Sequence, residues 1–304
     1  MRLVTRSDFD GLICAVLLKE AGIVDAYKFV HPKDIQDGKV PIDENDVLAN
    51  VPYWPGCGLW FDHHSSESDV FLFTPDFQGV SKPAPSCARN IYEYYGGAEK
   101  FPDREVMMEA VDRCDSGNLT AEEILDPKGW YLLSFIMDPR TGLGRFKDYR
   151  ISNYRLMEEL IEYCRTMEID DILALPDVQE RVKRYWEHDK QYRVLIRDVA
   201  EVRKNCILLD MRSLQEAPVG NRFIEYSLFP KQNISVRLIR TPDPKITAIS
   251  VGHSIINRSS KTNVGALMKM HGGGGHEQVG TCQVNADVFD DVLDEILDQI
   301  VNDG

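Results

Sequence analysis

Apolar positions in residues 1–150 follow two rhythms. RLVT (2–5), AYKFVH (26–31), DVLANV (46–51), GLWFDHH (58–64) and VFLFT (70–74) are short apolar runs of strand length. Between them, LICAVLLKEAG (12–22), PSCARNIYEYYGG (85–97) and DREVMMEAVDRCD (103–115) repeat at helical spacing, the first bounded by Gly11 and Gly22, the second by Pro85 and Gly96. Strands alternating with helices predict an α/β domain built on a doubly wound, mostly parallel sheet. A helical stretch follows from about Asn153 to Asp198, broken near Asp170–Leu175 and restarted by Pro176. From Val199 the pattern changes to a strand (VRKNCILLDM), a helix (NRFIEYSLF), two strands (ISVRLIR and ITAISVGH), a helix (NVGALMKMH) and a terminal helix. The predicted layout is a domain over 1–175 that includes the start of the connector, a connector helix over 176–198, and a smaller α/β domain over 199–304.

Charge sharpens this picture. The net charge is −14, and half of it lies in residues 286–304, which carry seven acids and no base. Val288, Phe289, Val292, Leu293, Ile296, Leu297 and Ile300 recur there at helical spacing, so the terminal helix has an acidic solvent face and an apolar strip wide enough to pack against a second copy as a homodimer. The connector's Arg181, Lys183, Arg184, Lys190 and Arg193 are interleaved with acids and read as a solvated face. With no basic tract to release counterions, duplex nucleic acid is excluded as a partner, while small anionic substrates held by a metal remain compatible. No apolar stretch approaches the roughly 20 residues of a membrane span. Acids interrupt MRLVTRSDFD before any signal-peptide core forms. Seven cysteines without a CxxC pair argue against a zinc site or disulfide framework and for a reducing cytoplasm.

Polar residues gather where strands end: Arg6, Asp8 and Asp10 after the first, Asn50 after another, Asp62, His63 and His64 after a fourth. In doubly wound sheets ligands bind beyond the carboxyl ends of the strands. Paired carboxylates suit hard divalent cations, and manganese also accepts imidazole. A third segment, MHGGGGHEQVG (270–280), offers four glycines as an anion-binding nest, with His276 at the start of a helical turn.

Together, VTRSDFDG (4–11), FDHH (61–64), VDRCDSGNL (111–119) and NRSSKTNVGALMKMHGGGGHEQVG (257–280) resemble the DHH phosphoesterase superfamily with its DHH-associated C-terminal domain, most closely an exopolyphosphatase-related branch akin to nanoRNases and pAp phosphatases. The resemblance implies one phosphate-handling centre shared by two domains: an N-terminal domain holding one or two Mn²⁺ or Mg²⁺ ions and a C-terminal domain that binds substrate. By the resemblance, Asp8, Asp10, His63 and Asp115 are metal ligands, with Asp112 as the alternative to Asp115. Asp62 orients the histidines, and His64 contacts the scissile phosphate. Arg258, Gly273, Gly274, Gly275 and His276 grip phosphates or a terminal hydroxyl. Two positions depart from the family pattern, which has His at Arg6 and a bridging Asp at Asn50. Arginine cannot ligate a metal, and Asn50 offers a carbonyl oxygen without charge. Arg6 is therefore expected to contact a phosphate oxygen, and Asn50 to serve as a weaker ligand.

The expected function is metal-dependent hydrolysis of phosphate esters in small nucleotides or short oligonucleotides, in a cleft between the domains. One alternative is an exopolyphosphatase acting on phosphoanhydrides. The other is a non-catalytic nucleotide- or phosphate-binding protein with a degenerate metal site, for which Arg6 and Asn50 are the evidence.

Overall fold

The computed structural model describes residues 1–64 and 77–304. The expected strand VFLFT lies outside them. The chain forms two compact units, residues 1–118 with 127–185, and residues 119–126 with 186–304.

The first unit is built on five parallel strands among the described residues: β1 (Arg2–Thr5), β2 (Ala26–Phe29), β3 (Asp46–Ala49), β4 (Leu59–Asp62) and β5 (Gly79–Ser81), in the order β2-β1-β3-β4-β5. β1, β3 and β4 are central, which is why their residues are almost wholly buried and read as unbroken apolar runs. Helix α1 (Phe9–Glu20) buries every residue from Phe9 to Leu18. It packs against α3 (Cys87–Tyr94), α4 (Glu105–Asp115) and α7 (Asn153–Thr166), the short α2 (Pro32–Gln36) lying between β2 and β3 in the chain. A helix so enclosed leaves no room at its entry: a Cβ on Gly11 would stand 2.1 Å from the Arg6 carbonyl oxygen.

The second unit carries a mixed sheet, ordered β10-β11-β9-β8-β7-β6. Its strands are β6 (Ala200–Arg203), β7 (Cys206–Asp210), β8 (Ile234–Arg240), β9 (Ile246–His253), β10 (Gly274–His276) and β11 (Val279–Asn285). Helices α11 (Val264–Met270) and α12 (Phe289–Asp303) share its core through Leu267, Met268, Phe289, Ile296, Leu297 and Ile300. In α12 the expected apolar strip is thus seated on the sheet.

Several expectations change. The single strand over 202–211 is a hairpin, because Lys204 takes a left-handed φ of 52° and turns the chain between β6 and β7. The connector is three helices, α7, α8 (Ile169–Ala174) and α9 (Pro176–Val199), and α9 runs through the division between the units at Tyr185 and Trp186. Arg181 is not on a solvated face. It is buried, its guanidinium 3.8 Å from the Tyr149 ring centroid and hydrogen-bonded to the Asn153 side chain and the Ile151 carbonyl. Residues 119–126, expected within the first domain, group with the second unit, where α5 (Ala121–Leu125) packs on α10 (Ile224–Leu228) and Arg193 donates to the Leu125 carbonyl. Helices α2 and α6 (Gly129–Met137) and strands β5 and β11 are likewise absent from the sequence reading.

The glycine run is also not a nest leading into a helical turn. Gly274, Gly275 and His276 form a strand in register with Thr281, Gly280 and Val279. A Cβ on Gly273 would stand 2.2 Å from the Thr281 carbonyl oxygen and 2.6 Å from the Cys282 Cα. Gly273→Ala should therefore destabilise the protein by about 1–3 kcal/mol through overpacking, read as a lowered urea midpoint; an unchanged midpoint would mean the backbone yields freely there.

Candidate functional site

The strand order of the first sheet reverses direction between β1 and β3, and at such a point the carboxyl ends leave a crevice. Asp8 leaves β1 as the N-cap of α1. Its Oδ1 accepts from the Gly11 amide at 3.0 Å and from Asn50 Nδ2 at 3.2 Å, while its Oδ2 pairs with Arg6 Nε at 3.0 Å. Asn50 ends β3 in the left-handed region, φ 56°, which asparagine tolerates better than most residues. Its side-chain oxygen is buried without a hydrogen-bond partner. Asp10 sits in the first turn of α1 against the N-terminus of α3, accepting from the Cys87 amide at 3.0 Å and the Ala88 amide at 2.9 Å. Asp62, the last residue of β4, accepts on one oxygen from the His63 amide and from His64 Nδ1, both at 2.8 Å.

His63 defines the chemistry. Its Nδ1 lies 3.2 Å from the Ala84 carbonyl oxygen, which can only accept, so Nδ1 carries a proton and Nε2 is the nitrogen left to meet a ligand. Nε2 is buried without a hydrogen-bond donor and faces Asp115 Oδ2 at 3.3 Å and Asp10 Oδ2 at 3.8 Å. The ligand atoms of Asp10, His63 and Asp115 all lie within 4.8 Å of one another. Three electron-pair donors turned on one point repel each other unless a proton or a cation lies among them. Burial, with the Asp8 charge added, pushes Asp10 up to about 7 despite its two amide donors. Burial and the Asp10 charge raise Asp115 as well. His64 is raised by its hydrogen bond to Asp62. The donor set of two carboxylates and one imidazole fits a divalent cation such as manganese.

All eight sequence-predicted residues of the metal half, Arg6, Asp8, Asp10, Asn50, Asp62, His63, His64 and Asp115, come together in the first unit. Between Asp115 and Asp112, the structure puts Asp115 beside His63. Asp112 is held by Arg89 Nε at 2.8 Å and the Ser86 hydroxyl at 2.7 Å. Asp8 sits apart from the three-residue cluster, both of its oxygens occupied by protein donors. Arg258, Gly273, Gly274, Gly275 and His276 belong to the second unit, with Arg258, Gly274, Gly275 and His276 exposed. Arg140, absent from the sequence reading, is fixed by Asp138, its Nε 2.8 Å from Asp138 Oδ1. Burial pulls its pKa down, but Asp138, with Asp8 and Asp115 contributing, raises it overall. Nothing local in Asp138-Pro139-Arg140 signals this; only the fold brings the guanidinium within the field of Asp8 and Asp115.

No protein-family model and no curated protein matches the chain. Among solved structures, it is similar to the pGpG-specific phosphodiesterase PggH of Vibrio cholerae, with 48% identity, a TM-score of 0.88, and 100% of this chain and 99% of that one covered. The DHH domain of a protein described as a member of the S1p family of ribosomal proteins matches at 14% identity and a TM-score of 0.56, over 98% and 86% of the two chains. An exopolyphosphatase-related protein of Bacteroides fragilis matches at 12% and 0.52, over 98% and 91%. The last two likenesses are of fold alone.

The raised carboxyls predict a pH signature in the metal-free protein. A group whose folded pKa exceeds its unfolded value stabilises fully below the unfolded value, here 3.8, and loses that contribution as pH rises through the folded one. Asp115→Asn has no such charge, and its amide can donate to His63 Nε2. In chelator, its urea midpoint should rise relative to that of the natural chain between pH 5 and pH 8, and Mn²⁺ should stabilise it far less. Parallel midpoints across that range, with equal manganese responses, would contradict the cluster.

Proposed function

Because the chain belongs to the DHH phosphoesterase superfamily, we propose that it is a divalent-cation-dependent phosphodiesterase cleaving short 5′-phosphorylated dinucleotides of the pGpG type. The observation that carries this reading is the 48% identity over the whole chain to a protein described as a pGpG-specific phosphodiesterase. The cluster of buried Asp10 with half-buried His63 and Asp115 supports it independently.

Asp10, His63 and Asp115 would hold the cation, manganese in preference to magnesium because an imidazole is among the donors. A bound divalent ion supplies Lewis-acid polarisation of a phosphate oxygen and lowers the pKa of water. The protein does the rest. Asp62 fixes the His64 ring through Nδ1, and its hydrogen bond favours the charged imidazole, a proton source for the leaving oxygen. Asp8 and Asn50 hold one edge of the centre, where Arg6 adds a permanent positive charge suited to a non-bridging phosphate oxygen. In the net reaction the oxygen of water joins phosphorus, one P–O ester bond breaks, and the departing oxygen takes a proton. In the second unit, Arg258, Gly273, Gly274, Gly275 and His276 are proposed to bind phosphates or a terminal hydroxyl of the substrate. Seven free cysteines support a reducing, cytoplasmic setting, and among the described residues no helix is long and apolar enough to cross a membrane.

With Mn²⁺, the protein should convert pGpG to two molecules of GMP. Asp10→Ala and His63→Ala should each lower kcat at least about 100-fold. Orthophosphate release from polyphosphate that outpaces GMP formation would favour the phosphoanhydride alternative, and full activity in both variants would overturn the assignment of the centre.

A further inference from the structure

Beside the Arg6–Asp8 pair, at the carboxyl ends of β1 and β2, the first unit opens a cavity of about 810 Å³. That is within the range of small-molecule pockets, about 300–1,000 Å³. Its walls include Arg6, Lys28, Phe29, His31, Arg140 and Tyr154. Two features set it apart from an ordinary surface hollow. In a chain of net charge −14, four lysines and arginines line it, Arg6 paired with Asp8, Lys39 with Asp34 and Asp37, and Arg140 with Asp138, while Lys28 adds a fourth positive charge. Its wall also presents an aromatic face: Tyr154 remains 45% exposed while meeting Phe29 edge-on, ring centroids 5.3 Å apart at 78°.

We propose that this cavity seats a nucleotide unit of the substrate, its base on Tyr154 with Phe29 behind, and its phosphate facing Lys28 and Arg140. The proposal deepens the phosphodiesterase reading and rests on it for the substrate. Arg6 links the two places, since it pairs with Asp8 in the centre and also lines the cavity. A phosphate held there by the cations leaves the base beside the aromatic wall. Inorganic polyphosphate has no face to stack, so a cavity joining cations to an exposed tyrosine matches a nucleotide. The plain alternative is that Tyr154 serves only to cover Phe29 and the strand end.

The test is calorimetric binding of 5′-GMP to the full chain, with pGpG turnover by the natural chain assayed in parallel. Tyr154→Ala should weaken GMP binding about tenfold, the scale of a lost base–aromatic stack. Tyr154→Phe should retain it, and Lys28→Ala should weaken it independently, which keeps the proposal testable if the alanine variant at 154 misfolds. GMP affinity unchanged by Tyr154→Ala and Lys28→Ala, or no GMP binding by the natural chain, overturns the cavity assignment even if pGpG is cleaved. Variant-sensitive GMP binding without pGpG cleavage upholds the cavity and overturns the phosphodiesterase reading instead.

Discussion

The first unit is organised around a concentration of negative charge withdrawn from water. Asp10 is fully buried at the N-terminus of α3, Asp115 closes in from the end of α4, and between them His63 turns Nε2 inward because the Ala84 carbonyl claims its other nitrogen. Two backbone amides stabilise Asp10 but do not offset its desolvation and the charge of Asp8, so it sits near neutral pH in protonation. Such an arrangement is costly as protein alone and favourable around a cation. The parallel sheet makes it possible: only where the central strands end can buried backbone be surrounded by polar side chains while the helices remain packed on the faces.

Asp8 extends the same logic. It is a carboxylate beside the cluster, yet Gly11, Asn50 and Arg6 satisfy both its oxygens with protein donors. Arg6 and Asn50 thus satisfy Asp8 within the protein, and Arg6, paired with Asp8, also lines the cavity. In an acidic protein this local reversal of sign matters, because an anionic substrate drawn to the centre meets cations on one side and the cluster proposed to hold a metal on the other.

Much of this was legible in the sequence. The central strands were predicted nearly to the residue, since a strand buried on both faces is an unbroken apolar run, and the carboxyl-end clusters of Asp8–Asp10 and Asp62–His64 followed from where those runs stop. What stayed hidden depended on tertiary neighbours. Arg181 looks like one more exposed base in a charged helix until Tyr149 is folded over it. Tyr154 and Arg140 carry no motif, and only the chain's return along α7 and the turn after α6 brings them to β1 and β2. The glycine run was read as an anion-binding loop because four glycines permit almost any backbone. Pairing with β11 is a choice made by the sheet. Asp112 and Asp115 lie one helical turn apart, close to one face, and Arg89 is what separates their roles.

The central claim is that Asp10, His63 and Asp115 exist in this geometry for a divalent cation. Anomalous diffraction from a crystal of the protein grown with Mn²⁺ tests it most directly. The account predicts a manganese peak bonded to a carboxylate oxygen of Asp10, to Nε2 of His63 and to a carboxylate oxygen of Asp115. A well-ordered centre with no peak there at millimolar manganese, or a peak ligated by other residues, would contradict it.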